Sequence, residues 1–249
     1  MNKLFYEFQP ERNFGGFSDR DEVLLFYSRI QSLITPQMIV VDVGCGRGHF
    51  LEGQISYTRE LHTLKQKCKL LIGLDVDPIG EKNQSIDEFK LIFPDVPWPL
   101  EENFVDMVIS DYVLEHISRP DFFFSECHRV LKPGGYLFIR TSNMMSYLGL
   151  FITLIPEKFH ESLLKYLQPN RKDEDKFPTA YKCNTVWKIR SMLRKCGFIG
   201  HVYGHSDTPT YLAFSKSSFM IGLIYDKLMP HFLKNHLFVL ARKRTQLER

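Results

Sequence analysis

The stretch Val40-Val41-Asp42-Val43-Gly44-Cys45-Gly46-Arg47-Gly48-His49-Phe50 decides how this chain folds. A run of β-branched residues, typical of a buried strand, leads into three glycines at alternate positions. Glycine is required where the backbone turns with a positive φ or where a ligand lies against it. The stretch therefore predicts a β-strand followed by a tight turn that borders a ligand site.

A second apolar run, residues 70–74, ends on the acidic residue Asp75. In an open sheet of parallel strands, nucleotides bind at the edge formed by the carboxyl ends of the strands. A carboxylate at the end of the second strand is placed to accept hydrogen bonds from ribose hydroxyls. Together, the glycine turn and Asp75 predict a site for a nucleoside-containing cofactor.

The glycine spacing distinguishes two classes of cofactor. The dinucleotide fingerprint is G-x-G-x-x-G, whereas the glycines here follow G-x-G-x-G and position 49 is histidine. An NAD-dependent oxidoreductase is therefore disfavoured. Residues 41–48 instead resemble motif I of the class I S-adenosylmethionine-dependent methyltransferases. Gly73-Leu74-Asp75-Val76-Asp77-Pro78 resembles that family's second motif, usually G-x-D-x-S-P, and Asp77 can cap a helix that Pro78 would start.

A third block extends the resemblance. A strand-like run, residues 104–110, is followed by Asp111-Tyr112-Val113-Leu114-Glu115-His116-Ile117 and then by Glu126-Cys127-His128-Arg129-Val130-Leu131-Lys132-Pro133-Gly134-Gly135. This block closely resembles the signature of the methyltransferase 11 group, which includes ubiquinone and menaquinone methyltransferases. The resemblance covers residues 38–142 and implies S-adenosylmethionine as the cofactor. Locally, Leu131-Lys132-Pro133-Gly134-Gly135 has the pattern of a helix end.

The order of elements predicts an α/β fold. Apolar residues at helical spacing predict an amphipathic helix over residues 19–34, and residues 184–196 predict a later helix that closes on Gly197. With helices in most gaps, the alternation predicts a Rossmann-like, doubly wound sheet. The family resemblance implies that the last strand is antiparallel. The seven strands are expected near 39–43, 70–75, 89–92, 105–110, 136–141, 198 onward and 236–241.

We expect a single domain over residues 1–249. It divides into an N-terminal helical extension (1–37), a cofactor-binding half (38–142) and a C-terminal part (183–249). Two apolar insertions, 143–182 and 206–235, interrupt this plan, and their apolar runs are too short to span a bilayer. They are interpreted either as an amphipathic lid that rests on a membrane surface or covers a lipid chain, or as a buried lid or dimer contact.

Composition excludes several function classes. The 249 residues are 44% hydrophobic and 24% charged, with a net charge of +3 and both signs interleaved, so nothing indicates a nucleic-acid surface. The five cysteines are widely spaced without a C-x-x-C motif, which argues against a disulfide framework and against a zinc site. No signal-peptide pattern opens the chain. We therefore expect a cytoplasmic protein, with a membrane-peripheral position as a variant, and no metal.

The resemblance assigns cofactor contacts to individual positions. The backbone of the glycine turn is expected to approach the methionine portion and the ribose. Asp42 is expected beside the methionine amine, or else to be a structural turn acid, and Asp75 is expected to bind the ribose, or else to cap a helix. The residues predicted for this half of the site are Asp42, Gly44, Cys45, Gly46, Gly48, Asp75 and Val76, the last of which lines the adenine.

Three further positions complete the predicted cofactor site. Asp95 and Val96 lie roughly where the family has G-D-A-E, whose acid meets the adenine amino group. Prolines at 94 and 97 replace small residues there, so a surface loop acid is the alternative for Asp95. Ser110, at the end of the fourth strand, is expected to face the cofactor through its backbone.

Methyl transfer from a sulfonium requires a base only when the acceptor must lose a proton. His116 is the candidate base, because the pKa of histidine lies near physiological pH. Alternatively, His116 only orients the backbone or Glu115. His160, Tyr181 and His205 are further candidates.

The acceptor is the least determined feature. Asp111-Tyr112-Val113 lacks the prolines of the N/D-P-P-Y motif found in enzymes that methylate bases or glutamine. Thr141-Ser142-Asn143 and Phe177-Pro178-Thr179-Ala180-Tyr181-Lys182-Cys183-Asn184-Thr185 resemble relatives encoded among bacterial surface-polysaccharide genes. We expect methyl transfer to oxygen or carbon of a small or lipid-linked acceptor, such as a sugar. A quinone-type acceptor and a non-catalytic scaffold that binds S-adenosylmethionine are the alternatives, and the oligomeric state stays open.

Overall fold

The computed structural model describes residues 3–53, 55–154 and 178–248, with the side chains of 151–154 left aside. Its centre is a sheet of seven strands in the order β3-β2-β1-β4-β5-β7-β6. Strands β1 to β5 run parallel to one another, and β7 runs antiparallel to both of its neighbours, β5 and β6. The predicted fold class is therefore confirmed. The strands are β1 (Ile39–Val43), β2 (Leu70–Asp75), β3 (Glu88–Leu91), β4 (Val105–Asp111), β5 (Leu131–Ser142), β6 (Phe198–His205) and β7 (His236–Lys243).

Helices cover both faces of this sheet. On one face, Phe26 and Ile30 of the second helix pack against Phe138 and Phe238. On the other face, the helices that follow β4 and precede β6 pack against the strands and bury most of the aliphatic core. The α-helices are α1 (Lys3–Phe8), α2 (Glu22–Gln31), α3 (Ser56–His62), α4 (Pro120–Val130), α5 (Tyr147–Leu154), α6 (Val186–Lys195) and α7 (Lys216–Leu228).

Helix α2 is shorter than the predicted range of 19–34. The side chain of Asp21 accepts hydrogen bonds from the backbone N–H groups of Val23 and Leu24 and so caps the first turn. Phe26, Tyr27 and Ile30 form its buried face. The helix predicted from the hydrophobic periodicity is therefore present. It begins at Glu22 because Asp21 caps it.

Helix α4 ends at Val130 with Leu131 as its C-cap, so the helix end predicted at residues 131–135 is present. Strand β5 follows at once and starts earlier than the predicted residue 136, because Leu131 already pairs with Val105. A register shift in β4 between Val105 and Met107 accommodates this early strand start. The helix predicted to start at Pro78 is a short 3-10 helix, Pro78–Lys82, and the side chain of Asp77 caps it as predicted. At Gly80 a Cβ would lie 2.2 Å from the ring of Phe89, so this turn packs tightly on β3.

The two segments predicted as insertions both adjoin the carboxyl edge of the sheet. Strand β5 enters one of them after Ser142, and the other joins the end of β6 to the start of β7. The division into these segments remains a prediction, and residues 155–177, with the candidate base His160, lie outside the described residues. Within the described ranges, no helix has the length and apolarity needed to cross a membrane.

Candidate active site

Strand β1 carries the glycine turn to the carboxyl edge of the sheet. Gly44 and Gly46 have φ values of 77° and 49°, in the left-handed region that favours glycine. A Cβ on Gly44 would lie 2.2 Å from Cγ2 of Val113, so packing also requires glycine there. A Cβ on Gly46 would meet no atom of the described residues within 4 Å. The space beside Gly46 is therefore open to a ligand.

Asp75 joins the end of β2 directly to this turn. Its Oδ2 accepts a hydrogen bond of 2.8 Å from the backbone N–H of Gly46, and its Oδ1 accepts one of 2.9 Å from the N–H of Asp77. The side chain is buried. The structure thus brings together the two features that the sequence singled out. Binding of ribose by this carboxylate remains a prediction.

Replacing Asp75 with alanine is expected to weaken S-adenosylmethionine binding by roughly 1.5–3 kcal/mol, because hydrogen bonds to a charged group are lost. Titration calorimetry measures this change. Asp121→Ala removes the same charge from an exposed position on α4 and is the matched control. An unchanged affinity in Asp75→Ala would contradict the assigned role.

Asn83 braces the glycine turn, and the sequence did not single it out. Its side-chain amide donates hydrogen bonds of 2.9 and 3.2 Å to the carbonyls of Cys45 and Gly46. Its Oδ1 accepts hydrogen bonds from the backbone N–H and the hydroxyl of Ser85. A Cβ on Gly48 would lie 2.5 Å from this Oδ1, so Gly48 leaves room for the brace. Asn83 belongs to no local motif, because its position depends on the 3-10 turn after β2.

Asp42 lies half-buried on the face of the sheet that α2 covers. Burial, together with the neighbouring carboxylates of Asp111 and Asp75, raises the pKa of Asp42 to about 7. In this environment, a nearby cation would stabilise the ionised form of the carboxyl group. That property suits the ammonium group of methionine, and the contact itself stays a prediction.

Asp42→Asn is expected to stabilise the cofactor-free protein by about 1–3 kcal/mol at pH 8, allowing for the partial exposure of the side chain. The pKa of Asp42 is raised on folding, so its stabilising contribution is present at acidic pH and is lost as the pH rises through about 7. The gain should therefore vanish near pH 4. Urea denaturation at both pH values measures it, and an equal effect at both would contradict the expectation. The same variant should bind S-adenosylmethionine more weakly.

The residues predicted to contact adenine lie beyond β2 and β3. The side chains of Val76 and Val96 are both exposed. Both are therefore accessible to the ring of a ligand. Asp95 is exposed with a φ of 61°, and its carboxylate lies 3.5 Å from the guanidinium of Arg119.

Ser110, the last residue predicted for the cofactor site, pairs with Val43 and is fully buried. Its hydroxyl has no hydrogen-bond partner within the described parts of the chain.

His116 lies in the 3-10 turn Leu114–His116, where its Nδ1 is 2.9 Å from the carbonyl oxygen of Pro178. The preceding Glu115 is buried, and its carboxylate accepts hydrogen bonds from the hydroxyls of Thr141 (2.7 Å) and Ser142 (3.1 Å). Burial raises the pKa of Glu115. The Leu-Glu-His motif therefore ties this turn to the end of β5.

Two of the other candidate bases, Tyr181 and His205, lie within the described residues. The backbone N–H of Tyr181 donates to the carbonyl of Glu115 at 3.0 Å. The Nε2 of His205 lies 2.9 Å from the carbonyl of Arg20, and its ring stacks on Phe238. Asn184 donates from its amide to the hydroxyl of Thr141, so residues of the polysaccharide-type resemblance meet in this network.

A cluster of ionisable side chains continues from Asp42 along the same edge. We call Glu22, Asp111, Tyr112, Arg140 and His236 the edge cluster. Arg140 is 3% exposed and donates two hydrogen bonds of 2.6 Å to Asp111. The guanidinium also lies 4.9 Å from the ring centroid of Tyr112. Burial opposes ionisation of Asp111, but Arg140 and His62 outweigh it and hold the pKa of that carboxyl below its usual range.

Tyr112 connects the remaining members of the edge cluster. Its hydroxyl lies 2.8 and 2.6 Å from the two carboxylate oxygens of Glu22 and 2.7 Å from Nδ1 of His236. Tyr112 has a φ of 56°, a strained conformation for a residue with a side chain. One signal in the sequence could have pointed here, because Arg140 is a charged residue that directly follows the apolar run of residues 136–139.

Comparison with known proteins finds similarity over the central part of the chain. Residues 41–139 match the family of the methyltransferase domain. The mitochondrial ubiquinone biosynthesis O-methyltransferase of Rattus norvegicus is 28% identical over 170 residues, covering 60% of this chain and 46% of that protein. The ubiquinone biosynthesis O-methyltransferase of Burkholderia thailandensis is 30% identical over 115 residues, covering 45% and 49%. The chain thus spans about half the length of these curated relatives.

A solved structure supports the fold. The S-adenosylmethionine-dependent methyltransferase from Mesorhizobium loti matches with a TM-score of 0.57 at 16% identity, covering 90% of this chain and 99% of that chain. S-adenosylmethionine is the cofactor of the matched family, and the open space beside Gly46 and the half-buried Asp42 fit a nucleoside that carries an ammonium group. The resemblance found in the sequence is confirmed. Over residues 41–139 the chain matches the methyltransferase domain of the methyltransferase 11 group.

Proposed function

We propose that this chain transfers the methyl group of S-adenosylmethionine to a hydroxyl oxygen of a small, quinone-type acceptor. The observation that carries the methyl-donor part is the hydrogen bond between Gly46 and Asp75, because it sets an open glycine turn beside a carboxylate. The relatives named as ubiquinone biosynthesis O-methyltransferases support the acceptor class. Neither the hydrogen bond nor the similarity to these relatives depends on the polysaccharide-type resemblance.

The chemistry demands little of the protein beyond binding and alignment. S-adenosylmethionine supplies an electrophilic methyl group on a sulfonium. The chain's residues then hold the acceptor in line and exclude water. In this proposal Asp42 binds the ammonium group and Asp75 binds the ribose. The glycine backbone at 44 and 46 lets the cofactor approach closely.

A lipid-linked acceptor is the second candidate, and the surface of α7 favours it. This helix exposes Met220, Ile221, Ile224 and Leu228, with Ile221 and Leu228 at 64% and 70%. The segment that contains α7 joins β6 to β7 at the carboxyl edge. An apolar surface there would suit the chain of a lipid carrier.

Incubation with methyl-labelled S-adenosylmethionine tests these proposals. A catechol probe, which offers adjacent phenolic hydroxyls, is compared with quinone and lipid-saccharide fractions of a cell extract. Label on the catechol or in the quinone fraction supports the first proposal, and label in the lipid-saccharide fraction supports the second. Bound cofactor without label in any fraction would contradict both and favour a scaffold.

A further inference from the structure

The hydrogen bonds around Tyr112 determine which nitrogen of His236 carries its proton. Burial and the charge of Glu22 raise the pKa of Tyr112 well above its usual value, so the hydroxyl keeps its proton. A carboxylate only accepts hydrogen bonds, so the hydroxyl donates to Glu22. Nδ1 of His236 must then donate to the Tyr112 oxygen at 2.7 Å. This tautomer leaves Nε2 with a free lone pair.

His236 lies at the edge where the cofactor site is built. Because β7 runs antiparallel, its first residue pairs with Ser142 at the carboxyl end of β5. Arg140 on β5 donates a hydrogen bond to Asp111 on β4. The charge of Asp111 in turn raises the pKa of Asp42 on β1. Within the described residues, Nε2 of His236 makes no hydrogen bond. Nη1 of Arg140 makes no hydrogen bond either, although it lies 3.7 Å from Oε1 of Glu22 as an ion pair. The edge cluster therefore offers Nε2 of His236 as a free acceptor.

The groups that face His236 keep its ring neutral near pH 7. Burial lowers the pKa of His236, and Arg140 and His205 lower it further. Glu22 from α2 and Asp111 from β4 act in the opposite direction. Glu22 Oε2 lies 3.4 Å from Nδ1, where it would stabilise the ring once a second proton arrives. A neutral imidazole with a carboxylate beside one nitrogen can act as a general base through its other nitrogen.

We propose, on the basis of the proposed function, that Nε2 of His236 takes the proton of the acceptor hydroxyl, with Glu22 and Tyr112 as positioning residues. The acceptor O–H bond breaks and an O–CH3 bond forms, while the S–CH3 bond breaks with its electron pair left on sulfur. The proton passes to Nε2 and afterwards to water. His116, the base that the sequence favoured, is the competing assignment.

The tautomer of His236 is measurable without any acceptor. Long-range 1H–15N correlation spectra of the labelled protein at pH 7.5, assigned by comparison with His236→Asn, are expected to show a neutral ring protonated on Nδ1. A proton on Nε2, or a fully protonated ring, would overturn the proposal.

Turnover of the catechol probe is the second test. His236→Asn is expected to lower kcat by roughly 10²- to 10⁴-fold, with the Kd for S-adenosylmethionine changed less than about twofold. His201→Asn, on the exposed side of β6, is the matched control and should keep wild-type turnover. Glu22→Gln should move the acid limb of the kcat/KM profile down by roughly one pH unit, because a charge that favours the protonated ring is removed.

The results separate this proposal from the proposed function. Wild-type kcat in His236→Asn, or a comparable loss found in His116→Ala instead, would overturn the role of His236 while methyl transfer stands. Absence of product from the wild-type protein, with S-adenosylmethionine bound, would contradict the proposed function and with it the catalytic role of His236.

Discussion

Replacing Arg140 with methionine is expected to lower the free energy of unfolding by about 3–5 kcal/mol, because the half-buried carboxylates of Asp111 and Glu22 lose their cation. Arg140 is 3% exposed and makes two hydrogen bonds to Asp111, so water does not compensate for the loss. Methionine keeps much of the volume of the side chain. Urea denaturation at pH 8 measures the change.

The pH dependence of this effect has a definite sign. In the wild-type protein the pKa of Asp111 is depressed, so its stabilisation is present at neutral pH and is lost only in strong acid. In Arg140→Met, burial without the guanidinium should raise that pKa, and the deficit should shrink at pH 5. Adding Asp111→Asn to the variant should recover part of the stability at pH 8.

Arg119→Met is the control for Arg140→Met. Arg119 is largely exposed and lies 3.5 Å from each of Asp95 and Asp121. Its removal should change the free energy of unfolding by less than about 1 kcal/mol, as is usual for surface pairs. Equal losses in the two variants would show that the edge cluster has no special role in stability.

Replacing Gly44 with alanine is expected to destabilise the protein by about 2–5 kcal/mol. The positive φ contributes roughly 1–2 kcal/mol, and the contact with Val113 contributes about 1–3 kcal/mol through overpacking. The variant should also bind S-adenosylmethionine poorly, because the turn must shift. Urea denaturation and titration calorimetry measure the two effects.

Three companion variants separate the causes at Gly44. Val113→Ala removes the methyl group that the new Cβ would meet, so Gly44→Ala/Val113→Ala should show only the backbone component relative to Val113→Ala alone. Gly46→Ala has the positive φ without a clash, and it should lose roughly 1–2 kcal/mol. A full deficit that persists in the double variant would show that the packing argument is wrong.

The cofactor half of the fold could be predicted because its signals are local. Strand β1 occupies the predicted residues 39–43, and β2 occupies the predicted 70–75. Parallel strands that are buried on both faces read as continuous apolar runs, and the glycines mark the turn between strand and helix. The meeting of Gly46 and Asp75 follows from the parallel sheet itself.

The rest depends on contacts between distant parts of the chain. The pattern at residues 131–135 predicted the end of α4, but not that β5 starts at Leu131, because that start depends on pairing with Val105. Asn83 reaches the glycine turn only after a 3-10 turn has redirected the chain. The edge cluster draws on α2, β4, β5 and β7, so no window of sequence contains its pattern. The identity of each cofactor contact remains a prediction.

The reversed direction of β7 has a consequence for how such a protein diversifies. The turn at 44–48 and the carboxylate at 75 lie within residues 41–139, whereas Glu22 and His236 come from segments on either side that reach the same edge. An exchange of these outer segments would change the groups at that end of the edge and leave the glycine turn and Asp75 in place. Chimeras that swap only residues 206–243 with a homologue are the corresponding engineering route to a new specificity.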